Sequence, residues 1–241
     1  MAAMLSIVVP CYNEVLNLPH IFLQFDDLLK KHPDVEIVLV NNGSTDNSAE
    51  VFTQLLNARN ASSYKLVHVP KNLGYGYGLF SGLEQATAPI LSWTHADLQT
   101  DPMDVMRALE VFKSNTPQPV LVKGYRKNRR ASEAFFSWGM GVLSSLALGT
   151  RLTEINAQPK LFTKSFYESI KADCPKDFSF DLYFLYHAKK RGNIIDIPVF
   201  FLPRQFGEAK GGSGSSLKTR IKLIRRIFTY VFELRKKLKH G

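Results

Sequence analysis

Apolar residues in this chain gather into short runs, and the stretches between them carry helical periodicity. Residues 5–9 form an apolar run closed by Pro10, the pattern of a strand buried on both faces of a parallel sheet. Asn17 and Pro19 then open a helical pattern that puts Ile21, Phe22, Phe25, Leu28 and Leu29 on one side. A second run, 35–40, ends in Asn41-Asn42-Gly43-Ser44-Thr45-Asp46, a turn sequence that also supplies a helix cap. Strand, helix, strand is the start of a βαβ unit. The alternation continues with strands expected at 64–69, 90–94 and 120–123, and with a glycine-rich entry to a helix at Gly74, Gly76 and Gly78. Short connections of this kind predict an α/β protein with an open, mostly parallel sheet and helices on both faces. Its ligands are expected beyond the carboxyl ends of the strands.

Residues 132–148 are helical and apolar nearly all round, with Phe135, Phe136, Trp138, Val142, Leu143 and Leu146. The stretch falls short of the ~20 apolar residues that a bilayer span needs. The pattern suits either a buried helix or one lying at a membrane surface. A further helix over 180–191 stops at Gly192, and 194–202 is a strand that Pro198 places at a sheet edge. Gly and Ser fill 211–216. The organisation expected is therefore a catalytic body over 1–210, a hinge over 211–216 and an amphipathic helix over 217–241.

The chain's 241 residues, 45% hydrophobic, suffice to bury a full core. A net charge of +10 points first to nucleic acid, but its distribution argues otherwise. From Leu217 to Gly241, nine Lys and Arg stand against one acid, Glu233, so everything before Leu217 carries only +2. Leu217, Ile221, Ile224, Phe228, Val231 and Leu238 make one helical stripe among those cations. That is the pattern of a helix in an anionic membrane interface; packing on the body and a coiled-coil partner are the competing readings. No nucleic-acid partner is expected, because the body offers no aromatic-basic motif of the usual modules. Cys11 and Cys174 form neither a disulfide framework nor a metal knuckle. Residues 1–9 lack the basic and apolar regions of a secretory signal, and a cytosolic setting is expected.

Candidate chemistry concentrates just after the run at 90–94. In an extended chain residues two apart project to one side, so His95, Asp97 and Gln99 are expected to point together. A hard divalent cation, Mg2+ or Mn2+, bridging the phosphates of a nucleotide needs only one or two protein oxygens. Asp97 and Gln99 offer two. Helix capping is the alternative role for Asp97, although Asp101-Pro102 already fits the start of the next helix. His95 could ligate the metal, donate to a phosphate oxygen, or pack and hydrogen-bond locally.

Six segments, taken in order, carry a family resemblance: Val9-Pro10-Cys11-Tyr12-Asn13-Glu14; Asn42-Gly43-Ser44-Thr45-Asp46; Asn72-Leu73-Gly74; His95-Ala96-Asp97-Leu98-Gln99 with Asp101-Pro102; Gly124-Tyr125-Arg126; and Arg204-Gln205-Phe206-Gly207-Glu208-Ala209-Lys210. The chain resembles family 2 glycosyltransferases of the GT-A fold, in particular dolichyl-phosphate mannose synthase and related polyprenyl-phosphate glycosyltransferases. The resemblance implies a Rossmann-like nucleotide-sugar-binding domain. It implies that Pro10, Tyr12, Glu14 and Asn42 hold the nucleobase and ribose, and that Asp97 and Gln99, with His95 in the place of the family's first acid, face metal and diphosphate. Arg126 and Arg130, in the cluster Arg126, Lys127, Arg129, Arg130, match the acceptor-phosphate region. Arg204 and Lys210 match a late loop that closes over the donor, with Ala209 replacing a common Ser. Asp181 matches an acidic position near the active site or caps a helix; Glu154 and Gln158 lie in a further similar stretch.

The implied activity is inverting, metal-dependent transfer of a sugar from a UDP- or GDP-linked donor to a polyprenyl phosphate at the cytosolic face of a membrane. Asn41-Asn42 in place of paired acids leaves the base of the nucleotide open. Two alternatives stand beside this expectation. Transfer to a sugar hydroxyl would demand a general base such as Asp181, and a catalytically silent membrane-binding homologue would have lost its site at His95 and Asn42.

Overall fold

The computed structural model describes residues 2–59, 61–128, 131–207 and 217–240. The elements run β1 (Leu5–Cys11), α1 (Leu18–Lys31), β2 (Val35–Asn42), α2 (Ser48–Asn57), β3 (Tyr64–Val69), α3 (Tyr75–Gln85), β4 (Ile90–Trp93) and α4 (Met103–Ser114). They continue with β5 (Leu121–Lys127), α5 (Ala131–Leu148), β6 (Lys160–Thr163), α6 (Lys164–Glu168), α7 (Phe180–Arg191), β7 (Ile194–Phe200) and α8 (Leu217–His240). The strands form one sheet in the order β3-β2-β1-β4-β6-β5-β7. Pairing is parallel from β3 to β4 and between β5 and β7, while β6 runs against both of its neighbours. The expected parallel α/β sheet is therefore present, with one antiparallel strand that the apolar pattern does not announce.

Each face of the sheet carries its own core. Ile7, Val9, Ile37 and Leu39 pack with Phe22, Phe25 and Phe112 of α1 and α4. Val8, Val38, Val40 and Trp93 pack on the other face with Leu79, Leu83, Phe180 and Phe184 of α3 and α7. The runs are apolar without alternation because both faces of the central strands are covered. The outer strand β7 pairs only with β5, so Pro198 costs no central ladder bond there.

The expectation for the terminal helix is revised in part. The cationic terminal helix does not turn its whole predicted stripe outward. α8 packs against α5, and Ile227, Val231 and Leu234 enter the core, whereas Ile221 is exposed and Phe228 half-buried. Of the predicted stripe only Val231 is buried; the side chains of Leu217, Ile224 and Leu238 lie outside the described residues, as does the 211–216 hinge. α5 buries Leu148 but leaves Phe135, Trp138 and Leu146 exposed, and, as its length led one to expect, no helix among the described residues is long and apolar enough to cross a membrane.

Candidate functional site

The first connection leaves β1 after Cys11 and is tied to the turn after β2. Asn13, at φ 53°, donates its backbone N–H to Ser44 Oγ at 3.0 Å and accepts from Thr45 N at 2.7 Å. The Glu14 N–H donates to Ser48 Oγ at 3.2 Å, and Asn41 Oδ1 accepts from Ser44 N at 3.1 Å. Two strand-to-turn connections thus fix each other and present half-buried Tyr12 and Glu14 at the carboxyl end of the sheet. Asn42 is placed differently from its sequence neighbours. It is only 3% exposed, its Nδ2 donates to the Gly74 carbonyl at 3.1 Å, and its amide lies where a Cβ on Gly78 would come within 2.8 Å. Its side chain anchors the N-terminus of α3.

Beyond β4 the chain does not stay extended. Leu98 adopts φ 59°, and the Asp97 carboxylate accepts from the Gln99 N–H at 3.1 Å, closing a tight turn. The extended backbone expected at 95–99 is thus replaced by a turn between Asp97 and Gln99. Gln99 Nε2 donates to the Leu202 carbonyl at 2.9 Å, while the Leu202 N–H donates to the Gln99 carbonyl at 2.8 Å. Gln99 therefore staples the segment after β7 to the Asp97 turn and so delivers Arg204. Arg204 Nη2 stands 3.4 Å from Asp97 Oδ2, and Nη1 is 3.4 Å from both Glu14 oxygens. Its Nε is buried without a hydrogen-bond partner. Burial raises the Glu14 carboxyl above its ordinary range, with Arg204 and Asn17 pulling the other way. Next to this cluster Phe206 stacks on His20, with ring centroids 5.2 Å apart.

Two carboxylates from distant loops thus share one cation. Among the described residues no three His, Cys, Asp or Glu gather to hold a metal by themselves. The donor set fits a cation that takes one or two carboxylates here and fills its shell from a phosphate ligand, because the Asp97 carboxylate already faces a positive group at this position. His95 is half-buried with its ring 6.3 Å from Tyr75, which in turn stacks on Phe178 at 5.4 Å. Burial lowers the His95 pKa against the pull of Asp97 and Asp181.

A second cluster lies on the β5–β6 side. Arg126 Nε donates to Glu154 Oε2 at 2.8 Å and its guanidinium sits 5.7 Å from the Phe201 ring centroid, which joins two residues singled out from sequence. Asp181 and Gln158 are both buried; Gln158 Nε2 reaches Asp181 Oδ1 at 3.3 Å and the Tyr75 hydroxyl at 3.2 Å. Asp181 forms an ion pair with Lys160, whose Nζ also donates to the Ala157 carbonyl at 3.1 Å and lies 5.5 Å from the Trp93 ring centroid. Burial pulls the Lys160 pKa down to about 8. Directly opposite Lys160 in the β5–β6 register, buried Lys123 pairs with Asp196 at 2.9 Å. Lys160, Lys123, Tyr75 and Trp93 were not singled out from sequence. The available signal was a charged residue at the end of an apolar run: Lys123 closes 120–122, and Lys160 opens 161–162. Arg130 and Lys210 lie outside the described residues.

Comparison with known proteins now adds the lineage. Residues 6–171 match the sequence model of glycosyl transferase family 2. The undecaprenyl-phosphate mannosyltransferase of Micrococcus luteus is 26% identical over 220 residues, covering 86% of this chain and 87% of that protein. An undecaprenyl-phosphate 4-deoxy-4-formamido-L-arabinose transferase of Pseudomonas savastanoi pv. phaseolicola is 32% identical over 141 residues, 58% of this chain and 40% of that one. The chain spans between 40% and 59% of the length of the arabinose transferases it matches. Among solved structures, glucosyl-3-phosphoglycerate synthase of Mycobacterium tuberculosis in complex with Mn2+, UDP-glucose and phosphoglyceric acid superposes with a TM-score of 0.75 at 14% identity, over 97% of this chain and 80% of that one. The sheet with its single reversed strand is thus the GT-A architecture. With the match covering most of its length, this chain belongs to glycosyl transferase family 2.

Proposed function

We propose that the chain transfers a sugar, with inversion, from a nucleoside-diphosphate donor carried on UDP or GDP to a polyprenyl phosphate at the cytosolic face of a membrane. The observation that carries this reading is the Asp97–Arg204–Glu14 cluster beyond the carboxyl end of β4, in a chain similar to an undecaprenyl-phosphate mannosyltransferase over most of both lengths. Pro10, Tyr12 and Glu14 line the donor's nucleoside side. Arg204, with Lys210 from the same segment, turns to the diphosphate. Arg126, with Arg130, receives the acceptor phosphate, for which the planar guanidinium fork is suited. A divalent cation held at Asp97, Mg2+ or Mn2+, supplies charge neutralisation for the leaving diphosphate when bound. Residues 1–210 act as the catalytic body, and the cations of 217–241 face an anionic membrane surface.

The acceptor half draws on Asp181. A lipid phosphate is already anionic near neutral pH and needs no side-chain base to attack the anomeric carbon. Asp181, the acid that transfer to a sugar hydroxyl would require, is buried and spent on Lys160 and Gln158. The chain's contribution is then positioning and preorganised charge at the departing diphosphate. The test is a donor screen of UDP- and GDP-sugars against a short-chain prenyl phosphate, with and without Mn2+ or Mg2+. Asp97→Ala is expected to lower kcat by at least ~100-fold and to abolish metal-dependent nucleotide binding in calorimetry. Transfer to sugar hydroxyls with a pH profile abolished in Asp181→Asn would overturn the acceptor; absence of any nucleotide binding would favour a silent homologue.

A further inference from the structure

α5 is amphipathic in the reverse sense from the other helices. Its inward positions are small or polar except for Met140 and, at its last turn, Leu148, which reach the core. Gly141 and Ser144 are buried, a Cβ on Gly141 would meet the Leu152 carbonyl oxygen at 2.9 Å, and Ser145 Oγ accepts from the Leu152 N–H at 2.8 Å. Its large apolar side chains point away from the body: Phe135 is 67% exposed, Trp138 63% and Leu146 75%, with Leu143 beside them. Residues 131–148 contain a single charged residue, Glu133. A soluble helix of three turns or more normally buries its large apolar side chains, and a contiguous exposed patch of them marks an interaction surface.

The surroundings say what covers it. α8 packs beside α5 and exposes Arg225, Arg235 and Lys236, with Phe232 61% exposed among them. Large apolar residues next to a cationic helix complement an anionic lipid interface, where the rings enter the headgroup boundary and the cations stay with the phosphates. α5 also begins five residues after Arg126, the residue proposed to receive the acceptor phosphate, so the two are close neighbours in the chain. The buried face of α8 assigns the two helices different tasks. Ile227, Val231 and Leu234 are used up in holding α8 to the body.

We infer that α5 is the membrane-inserting element, lying in the plane of an anionic bilayer through Phe135, Trp138 and Leu146, and that α8 contributes charge rather than apolar anchorage. This rests on the polyprenyl-phosphate reading above. The chain's two tryptophans make the test direct, since Trp93 is fully buried and Trp138 is exposed. With phosphatidylglycerol/phosphatidylcholine vesicles containing brominated acyl chains, the full chain is expected to show quenched, blue-shifted emission. Trp138→Phe removes the quenching while leaving co-sedimentation intact. Phe135→Ser/Leu146→Ser, both at exposed positions, lowers vesicle partitioning by at least about tenfold with an unchanged circular dichroism spectrum. Arg235→Glu/Lys236→Glu lowers binding to anionic but not to zwitterionic vesicles.

Vesicle binding without Trp138 quenching would overturn the inference. So would a lipid-free dimer, seen by analytical ultracentrifugation, that Phe135→Ser/Leu146→Ser dissociates, because a second copy would then be the occupant. Transfer to a water-soluble short-chain prenyl phosphate separates the two levels. If it persists while Trp138 stays unquenched, the insertion fails and the activity stands; if it is absent while Trp138 is quenched, the activity fails.

Discussion

Two ion-pair clusters share the carboxyl end of the sheet and are built to opposite specifications. Lys160 and Asp181 are both buried, their contact is close, and Gln158 and Ala157 complete their hydrogen bonds. Arg204 is half-buried, stands 3.4 Å from each carboxylate oxygen it faces, and leaves Nε without a partner. A charge pair removed from water is costly to break, because the survivor is stranded. A loose, partly exposed guanidinium contributes little to stability and can exchange partners cheaply. The first pair holds the shape of the site; the second is free to meet a ligand.

The sharpest way to break this contrast is to strand one member of the buried pair. Lys160→Met is expected to cost about 3 to 5 kcal/mol of stability in denaturant unfolding. Lys160→Met/Asp181→Leu should recover most of that loss, since neither charge is then left bare. Equal instability of the single and double variants would show that the pair is not the scaffold. Arg204→Gln should behave in the opposite manner. Its unfolding free energy stays within about 1 kcal/mol of the parent, whereas its affinity for a nucleoside diphosphate in calorimetry falls by about tenfold or more. A stability loss like that of Lys160→Met would erase the distinction.

The smallest expected effect is a slope. Burial lowers the Lys160 pKa from the ordinary 10.5 to about 8, so between those values the unfolded chain holds a proton that the folded one has released. Stability contributed by this site therefore rises with pH across that window, once other groups are subtracted by comparison with Lys160→Met. Arg204 yields no such slope, because a guanidinium stays charged throughout. Unfolding at pH 8 and pH 10 in parent and variant measures the difference.

The same contrast explains what was legible beforehand. Asp97, Glu14 and Arg204 stand in segments whose order is recognisable, and they come together in space. Gln99 was assigned by extended-chain alternation, and one left-handed residue, Leu98, breaks that alternation. β6 escaped notice because it is four residues long and opens on a lysine, whose partner Asp181 lies two helices further along the chain. In the terminal helix two apolar stripes overlap, and sequence alone cannot say which phase meets the body. The packing of Ile227, Val231 and Leu234 settles it. Exposure of α5 was equally undecidable, since apolar residues ring most of the helix and its buried positions, Gly141, Ser144 and Leu148, include both small and large residues.

The glycines that open and line α3 suggest how a mutational map of this protein would look. A Cβ on Gly74 would come within 2.9 Å of the Lys176 carbonyl oxygen, and one on Gly76 within 2.5 Å of that of Asp177. At Gly82 it would run into Val8 and Val40. In a saturation screen for activity, this row would score as intolerant as the charged centre while carrying no reactive group. A tolerance profile taken alone would then draw the catalytic site one helix too wide. Sorting variants by abundance as well as by turnover would shrink it again, because alanine at Gly82 depletes the protein and glutamine at Arg204 leaves it abundant and idle.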